Sequence, residues 1–284
     1  MNKAAALAVL KVSAAAADRC RPRQRGLVIL IYHRVGGATG VQVDLPTELF
    51  ERQIAMLAAT GRVVDLDSAL GILSSAGPDA GSDAAGSDEG VPGPADPVVV
   101  TFDDGTADFA DVAVPVLVRH AVPATLYLAT DFVERGRDFP DDGKPLSWGA
   151  LGDVASTGLV TIGSHTHTHA LLDRVGPEDA ADELDRSIGL IEDRLGRRAH
   201  HFAYPKAVAG SPPAEDAVRR RFRSAALAGT RPNPYGADVH RLSRSPIQRA
   251  DGMRWFTRKV EGGMALEDVV RQRLNRRRYE GATA

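Results

Sequence analysis

Three groups of residues in this sequence have the types and spacing to do chemistry. Asp103 and Asp104 stand side by side, after Val98-Val99-Val100-Thr101-Phe102 and before Gly105. Two adjacent carboxylates at the end of a buried strand repel one another unless a cation or a proton compensates. A divalent metal is the natural solution: one aspartate binds it while its neighbour stays free as a base. His165, His167 and His169 alternate within Gly163-Ser164-His165-Thr166-His167-Thr168-His169, directly after a second apolar run. A strand would put all three on one face, whereas a turn or short helix would bring His165 and His169 together. The Gly-Ser that ends the strand favours the turn, with His165 and His169 as the metal pair and His167 pointing elsewhere. His33 closes a third apolar run, Leu27 to Tyr32.

Two histidines and one carboxylate hold zinc with positions left open. The same triad suits non-haem iron oxygenases. The extra carboxylate separates the two chemistries, because hydrolysis needs a base beside the activated water and oxygen activation does not.

These groups must be positioned by a scaffold, and the pattern around them supplies one. Apolar, β-branched runs at 27–32, 97–102, 124–129, 159–162, 201–204, 224–228 and 242–247 read as strands, with a short one at 63–64. Helical periodicity separates them at 47–59, 67–73, 112–119, 147–156, 177–195 and 214–221, and returns at 255–259 and 266–278. Alternating strands and helices predict an α/β fold: a parallel sheet, closed or nearly closed into a distorted (β/α) barrel, in one domain. Such sheets carry their sites at the carboxyl ends of the strands. His33, Asp103-Asp104, His165 and Tyr204-Pro205 all fall there.

Composition sets the outer limits. The 284 residues carry 35 basic and 37 acidic side chains, a net charge of −2, so no strong field favours nucleic acid. No stretch approaches the length of a membrane span. Cys20 is the single cysteine, which excludes an intrachain disulfide. Residues 1–25 read as an Ala-rich leading helix; the signal-like run Ala4 to Leu10 is interrupted by Lys11, which favours a cytoplasmic location. Residues 74–97 are Ala, Gly, Ser, Asp and Pro with almost no large apolar residue, the composition of a disordered insertion. Residues 26–260 then form the main domain, and 261–284 a basic C-terminal helix.

From Leu27 to Arg249 the sequence resembles the polysaccharide deacetylases of carbohydrate esterase family 4, with the NodB homology domain. Thr101-Phe102-Asp103-Asp104-Gly105 resembles the family's first motif, His165-Thr166-His167-Thr168-His169 its second, and Phe202-Ala203-Tyr204-Pro205-Lys206-Ala207 a version of its third. The resemblance implies Asp103 as catalytic base. It implies Asp104, His165 and His169 as ligands of one divalent ion, zinc first, with cobalt or nickel as alternatives. It gives the backbone N–H of Tyr204 to the oxyanion. The substrate implied is an N-acetylated glycan, which loses acetate.

The sequence departs from the family in three places. Ala203 stands where many members have an arginine that braces the base, and Ala207 where the motif ends in glycine. The late Leu-x-Leu-His motif is absent. Ile31-Tyr32-His33 near the start is instead similar to a subgroup that includes the poly-N-acetylglucosamine deacetylases, which implies His33 as general acid. Arg244 is a candidate replacement for the missing brace, and a solvated basic residue is the other reading of it. Two further readings stay open: an amidase for another non-peptide C–N bond, and a non-catalytic carbohydrate-binding relative. The second would be expected to have lost a ligand or the base, and all four residues are present.

Overall fold

A computed structural model describes residues 3–20, 24–75, 96–270 and 273. Most of the insertion read at 74–97, and all but one residue of the basic C-terminal stretch beyond 270, lie outside the described residues. The ends of the insertion do not fit that reading. Ser74 and Ser75 close a helix, and Asp96 is buried, its carboxylate accepting from the Gly26 N–H at 3.1 Å and the Arg25 Nε at 2.7 Å.

Seven parallel strands form the sheet, and their chain order follows the apolar runs. They are β1 (Val28–Tyr32), β4 (Val98–Phe102), β5 (Ala124–Leu128), β6 (Val160–Ser164), β7 (His201–Ala203), β8 (Ser224–Ala226) and β9 (Ser245–Pro246). Their order across the sheet is β8-β7-β6-β5-β4-β1-β9. Two short strands, β2 (Arg34–Val35) and β3 (Asp44–Leu45), pair with each other outside it. Neither was expected, because two-residue strands have no period to read.

The segment running into β9 curls the sheet round. Ser245 and Pro246 pair with Leu30 and Ile31 of β1, while Leu242 bridges Ala226 of β8 in parallel. The Leu227 N–H donates to Leu242 O at 2.8 Å and the Gly229 N–H to Arg244 O at 2.8 Å. One segment thus touches both edges, which is the distorted barrel expected.

Both faces of the strands are buried, and period 2 sorts them. Val28, Leu30 and Tyr32 of β1 face an outer layer shared with Phe50, Phe102 and Leu126. Leu27 and Ile29 face a separate inner cluster with Val99, Tyr127, Ala203 and Leu242. The outer layer is covered by α2 (Thr47–Ala59), α4 (Val114–Arg119), α6 (Trp148–Ser156), α7 (Pro177–Leu195), α8 (Pro212–Arg221) and α9 (Gly252–Val260). Pro115 sits in the first turn of α4, where its missing N–H costs nothing, and one turn of π-helix, Phe109–Ala113, precedes it. The inner cluster includes Leu66, Ala69 and Leu73 of α3 (Leu66–Ser75), which covers the end where the strands begin. The opposite end, where the strands finish, carries the polar groups.

Two helices complete the element list. A short helix, α5 (Thr130–Arg135), follows β5 in a stretch to which the sequence pattern assigned no element. The leading segment is helical, α1 (Lys3–Ala17), and Lys11 anchors it: the ammonium is buried against Asp251 and lies 3.1 Å from Glu267.

Candidate active site

His33, Asp103, Asp104 and His165 each sit one or two positions past a strand, while His169 lies five positions past β6 and Arg244 just before β9. Tyr32 pairs with Phe102, so His33 and Asp103 leave neighbouring strands in register. The Asp103 N–H donates to Tyr32 O at 3.1 Å, the Ala129 N–H to Asp104 O at 3.0 Å, and the His165 N–H to Leu128 O at 2.9 Å. Asp104 adopts φ 75, and the Gly105 N–H donates back to Asp103 O at 3.0 Å. This tight reversal turns the two carboxylates different ways. Gly105 follows at φ 102, where any side chain is strained and a Cβ, within 2.4 Å of Leu128 Cδ1, would have to displace that leucine.

The His165–His169 segment is a turn, not a helix. Thr166 at φ 64 and His169 at φ 66 bend it out of the strand. Glu183 of α7 clamps it, accepting from the N–H groups of His167 and Thr168 at 2.9 and 2.8 Å and from the Thr168 hydroxyl at 2.7 Å. His167 points away from its neighbours, as expected: its Nδ1 lies 2.9 Å from Thr130 Oγ1 and its Nε2 3.6 Å from Asp131. His201 also faces elsewhere, toward Ser224 and Asp67.

Asp104, His165 and His169 come together. One ligand atom from each lies within 4.8 Å of the others, with Asp104 Oδ1 3.7 Å from His165 Nε2 and 3.5 Å from His169 Nε2. A tetrahedral ion with bonds of about 2.1 Å separates its ligand atoms by about 3.4 Å, close to these distances. His165 Nδ1 lies 2.7 Å from the Ala203 carbonyl, which can only accept. The proton is therefore on Nδ1, and the Nε2 lone pair faces Asp104. Burial lowers the pKa of both histidines, that of His169 to about 3 with help from its neighbour His165. Both are neutral, as metal ligands must be. The donor set and its geometry fit a divalent ion.

Asp103 stands beside this cluster, its carboxylate 3.9 Å from His165 Nε2. Arg244 grips it with two nearly parallel hydrogen bonds, 2.6 and 2.9 Å. Arg244 is itself only 1% exposed, and is fixed by Thr101 Oγ1, by Leu227 O and by the Tyr127 ring beneath it. Burial alone would raise the Asp103 pKa; the charge and hydrogen bonds of Arg244, the main opposing influence, outweigh it and hold the carboxyl at about 2. The solvated reading of Arg244 is thereby excluded.

His33 is close enough for its charge to act on both aspartates, and its Nδ1 is buried with no hydrogen-bond partner among the described residues. Tyr204 needs a correction. Its N–H donates to Ala226 O at 3.0 Å in the β7–β8 ladder, so it is spent and cannot serve an oxyanion. Pro205 has no N–H. The next one belongs to Lys206, in a left-handed conformation at φ 53, whose side-chain charge acts on His169. Sequence reasoning missed Lys206, Glu183 and Thr130. Only Lys206 left a trace, as the first N–H donor after the proline in Tyr204-Pro205-Lys206.

The family model described as polysaccharide deacetylase matches residues 90–222. Over this stretch, a little under half of the chain, the sequence is similar to the polysaccharide deacetylase family. The stretch contains Asp103, Asp104, His165, His169 and Lys206. Two further groups of the candidate site, His33 and Arg244, lie on either side of it and are brought in by β1 and by the segment entering β9. No curated protein matches the sequence. Among solved structures, the Streptococcus pyogenes deacetylase PplD, in complex with acetate, superposes with a TM-score of 0.63 at 20% identity, over 81% of this chain and 97% of that one. IcaB from Ammonifex degensii gives 0.62 at 22% identity, over 82% and 98%. The deacetylase domain of BpsB from Bordetella bronchiseptica gives 0.58 at 18% identity, over 80% and 98%. At these identities the likeness is one of fold, and it extends beyond the matched stretch on both sides.

Proposed function

We propose that this chain is a metal-dependent hydrolase that removes N-acetyl groups from the sugar residues of a polysaccharide or glycoconjugate. The observation that carries the reading is the pairing of a three-ligand cluster, Asp104, His165 and His169, with a separate carboxylate, Asp103, that is ionised and fixed beside it. Asp104, His165 and His169 would hold the ion, zinc by the donor set. When bound, it supplies Lewis-acid polarisation of the acetyl carbonyl and makes water more acidic.

The chain's own groups do the rest. Asp103 takes the proton as water attacks, and Arg244 keeps the carboxylate ionised and aimed. The Lys206 N–H, the first after Pro205, would donate to the oxyanion that develops on the acetyl oxygen. His33, on the neighbouring strand, gives a proton to the departing amine, which is too basic to leave as an anion. Acetate and a free amino sugar result. The deciding experiment is acetate release from N-acetylated glucosamine oligomers and polymers, with and without chelator.

A further inference from the structure

The strand next to Arg244 has a short ladder. β9 is two residues long, and one of the two is Pro246, which has no N–H to give. Ile247, just past it, donates to Ile31 O at 2.9 Å. A two-point grip on a catalytic carboxylate tolerates little movement in the segment that carries the arginine. A second anchor for β9 is therefore required.

A buried cluster of four charges supplies it. The Lys259 ammonium, on α9, donates to Pro246 O at 2.7 Å and lies 2.9 Å from Asp251 Oδ2. The same Asp251 oxygen accepts from the Gln248 N–H at 2.8 Å, two residues past β9. Lys11 of α1 contacts the other Asp251 oxygen and lies 3.1 Å from Glu267, which is 3.6 Å from Lys259. All four side chains are buried, and two ammonium groups balance two carboxylates. Burial would raise the Asp251 pKa; Lys259 and Lys11 outweigh it and lower it. Apolar side chains would fasten α1 to α9 about as firmly as desolvated ions do. What the ions add is direction, and here it ends on the carbonyl two residues from Arg244.

Lys11 decides whether the balance holds. Without its charge, Lys259 alone would face Asp251 and Glu267 and would be drawn away from Pro246 O. We propose that Lys11 and Lys259 are positioning residues: through Asp251 they hold β9 against β1 and so orient Arg244 on Asp103. That the arginine serves catalysis rests on the deacetylase reading; that the network fixes the segment does not.

The test is hydrogen exchange in the full chain, followed amide by amide, in Lys11→Met. The Gly229 N–H, which donates to Arg244 O, and the Ile247 N–H report on the two sides of the closing segment. Both should exchange at least about tenfold faster than in wild type, and by a larger factor than the amides of β5 and β6. Adding Glu267→Gln removes the surplus carboxylate and should return most of the protection. If Lys11→Met does not fold, Lys11→Gln, which keeps a donor for Asp251, takes its place with the same expectation. Acetate release should lose about tenfold or more in kcat at unchanged KM and zinc affinity, and Glu267→Gln should restore it. No acetate from the wild type would count against the deacetylase reading alone, and exchange would still decide the role of the network. Exchange at Gly229 and Ile247 that stays at the wild-type rate, or rises no more than in β5 and β6, would make Lys11 a general prop and overturn the proposal. Fast exchange that Glu267→Gln does not reverse would overturn it too, by placing the effect in the packing of α1. Fast exchange with unchanged kcat would break the link to Arg244.

Discussion

Arg244 and Asp103, 141 residues apart in sequence, form a buried two-point ion pair inside the barrel. The planar guanidinium matches the carboxylate oxygen for oxygen, so the pair fixes orientation as well as charge. Removing one partner of a buried pair leaves the other desolvated and alone. Arg244→Ala should therefore cost about 3–5 kcal/mol of stability at neutral pH. Arg244→Lys should keep more of the stability yet lose most of kcat, because a point charge cannot orient the base. The pH dependence has a definite sign. The Asp103 carboxyl is held at about 2, below its unfolded value. Its contribution is therefore fully present above the ordinary carboxylate pKa and is lost as pH falls through the folded one. The stability gap between wild type and Arg244→Ala, measured by urea unfolding, should narrow as pH drops from about 5 toward 3. A gap that stays constant over that range would mean that the pair contributes nothing through ionisation.

His33→Ala should retain the metal and lose roughly 10²–10⁴-fold in amide turnover, the usual worth of general acid catalysis. On an aryl acetate the leaving group departs without a proton, so the defect should shrink there. Equal defects on ester and amide would remove His33 from leaving-group protonation. Normal amide turnover would remove it from the mechanism.

Glu183 touches no candidate substrate atom, but it holds the turn that carries His165 and His169. Glu183→Ala should weaken zinc affinity about 10–100-fold, as loss of a supporting group around a metal commonly does. Activity at saturating zinc should recover in large part. Metal titration separates this from a direct catalytic loss, in which kcat stays low however much zinc is added.

Ala207 stands at φ 58, where a Cβ is strained and glycine is not. The strain of about 1–2 kcal/mol is partly offset by glycine's greater freedom in the unfolded chain. Ala207→Gly should stabilise the protein by up to about 1 kcal/mol, read as a higher denaturant midpoint at constant slope. A lower midpoint would mean that the Ala207 methyl packs better than its backbone suggests.

The sheet was legible in the sequence because strands buried on both faces give continuous apolar runs, and such runs at 27–32, 97–102 and 124–129 need no tertiary information. The metal cluster was legible because Asp104 and His165 come within two residues of the end of an apolar run, and His169 recurs four residues after His165. Three features were not fully so. From sequence Arg244 stands open between a brace for Asp103 and a solvated basic residue, until the segment entering β9 closes on β1 and swings it over Asp103. The Tyr204 N–H reads as free until β8 arrives with Ala226 O to take it. Lys11 reads as an interruption in an apolar run, yet it is buried against Asp251 and Glu267, which come from the far end of the chain. In each case the deciding partner is remote in sequence, so local pattern carries no information about it.

The central claim is that this site hydrolyses an N-acetyl amide with the help of one metal ion, and acetate release from an N-acetylglucosamine polymer tests it most directly. Zinc-replete protein should release acetate. Chelation should abolish the release, and added zinc should restore it. Asp104→Asn should fail even with zinc present in modest excess. Acetate release that is indifferent to chelator, or none from any N-acetylated glycan by protein shown to hold one zinc, would contradict it.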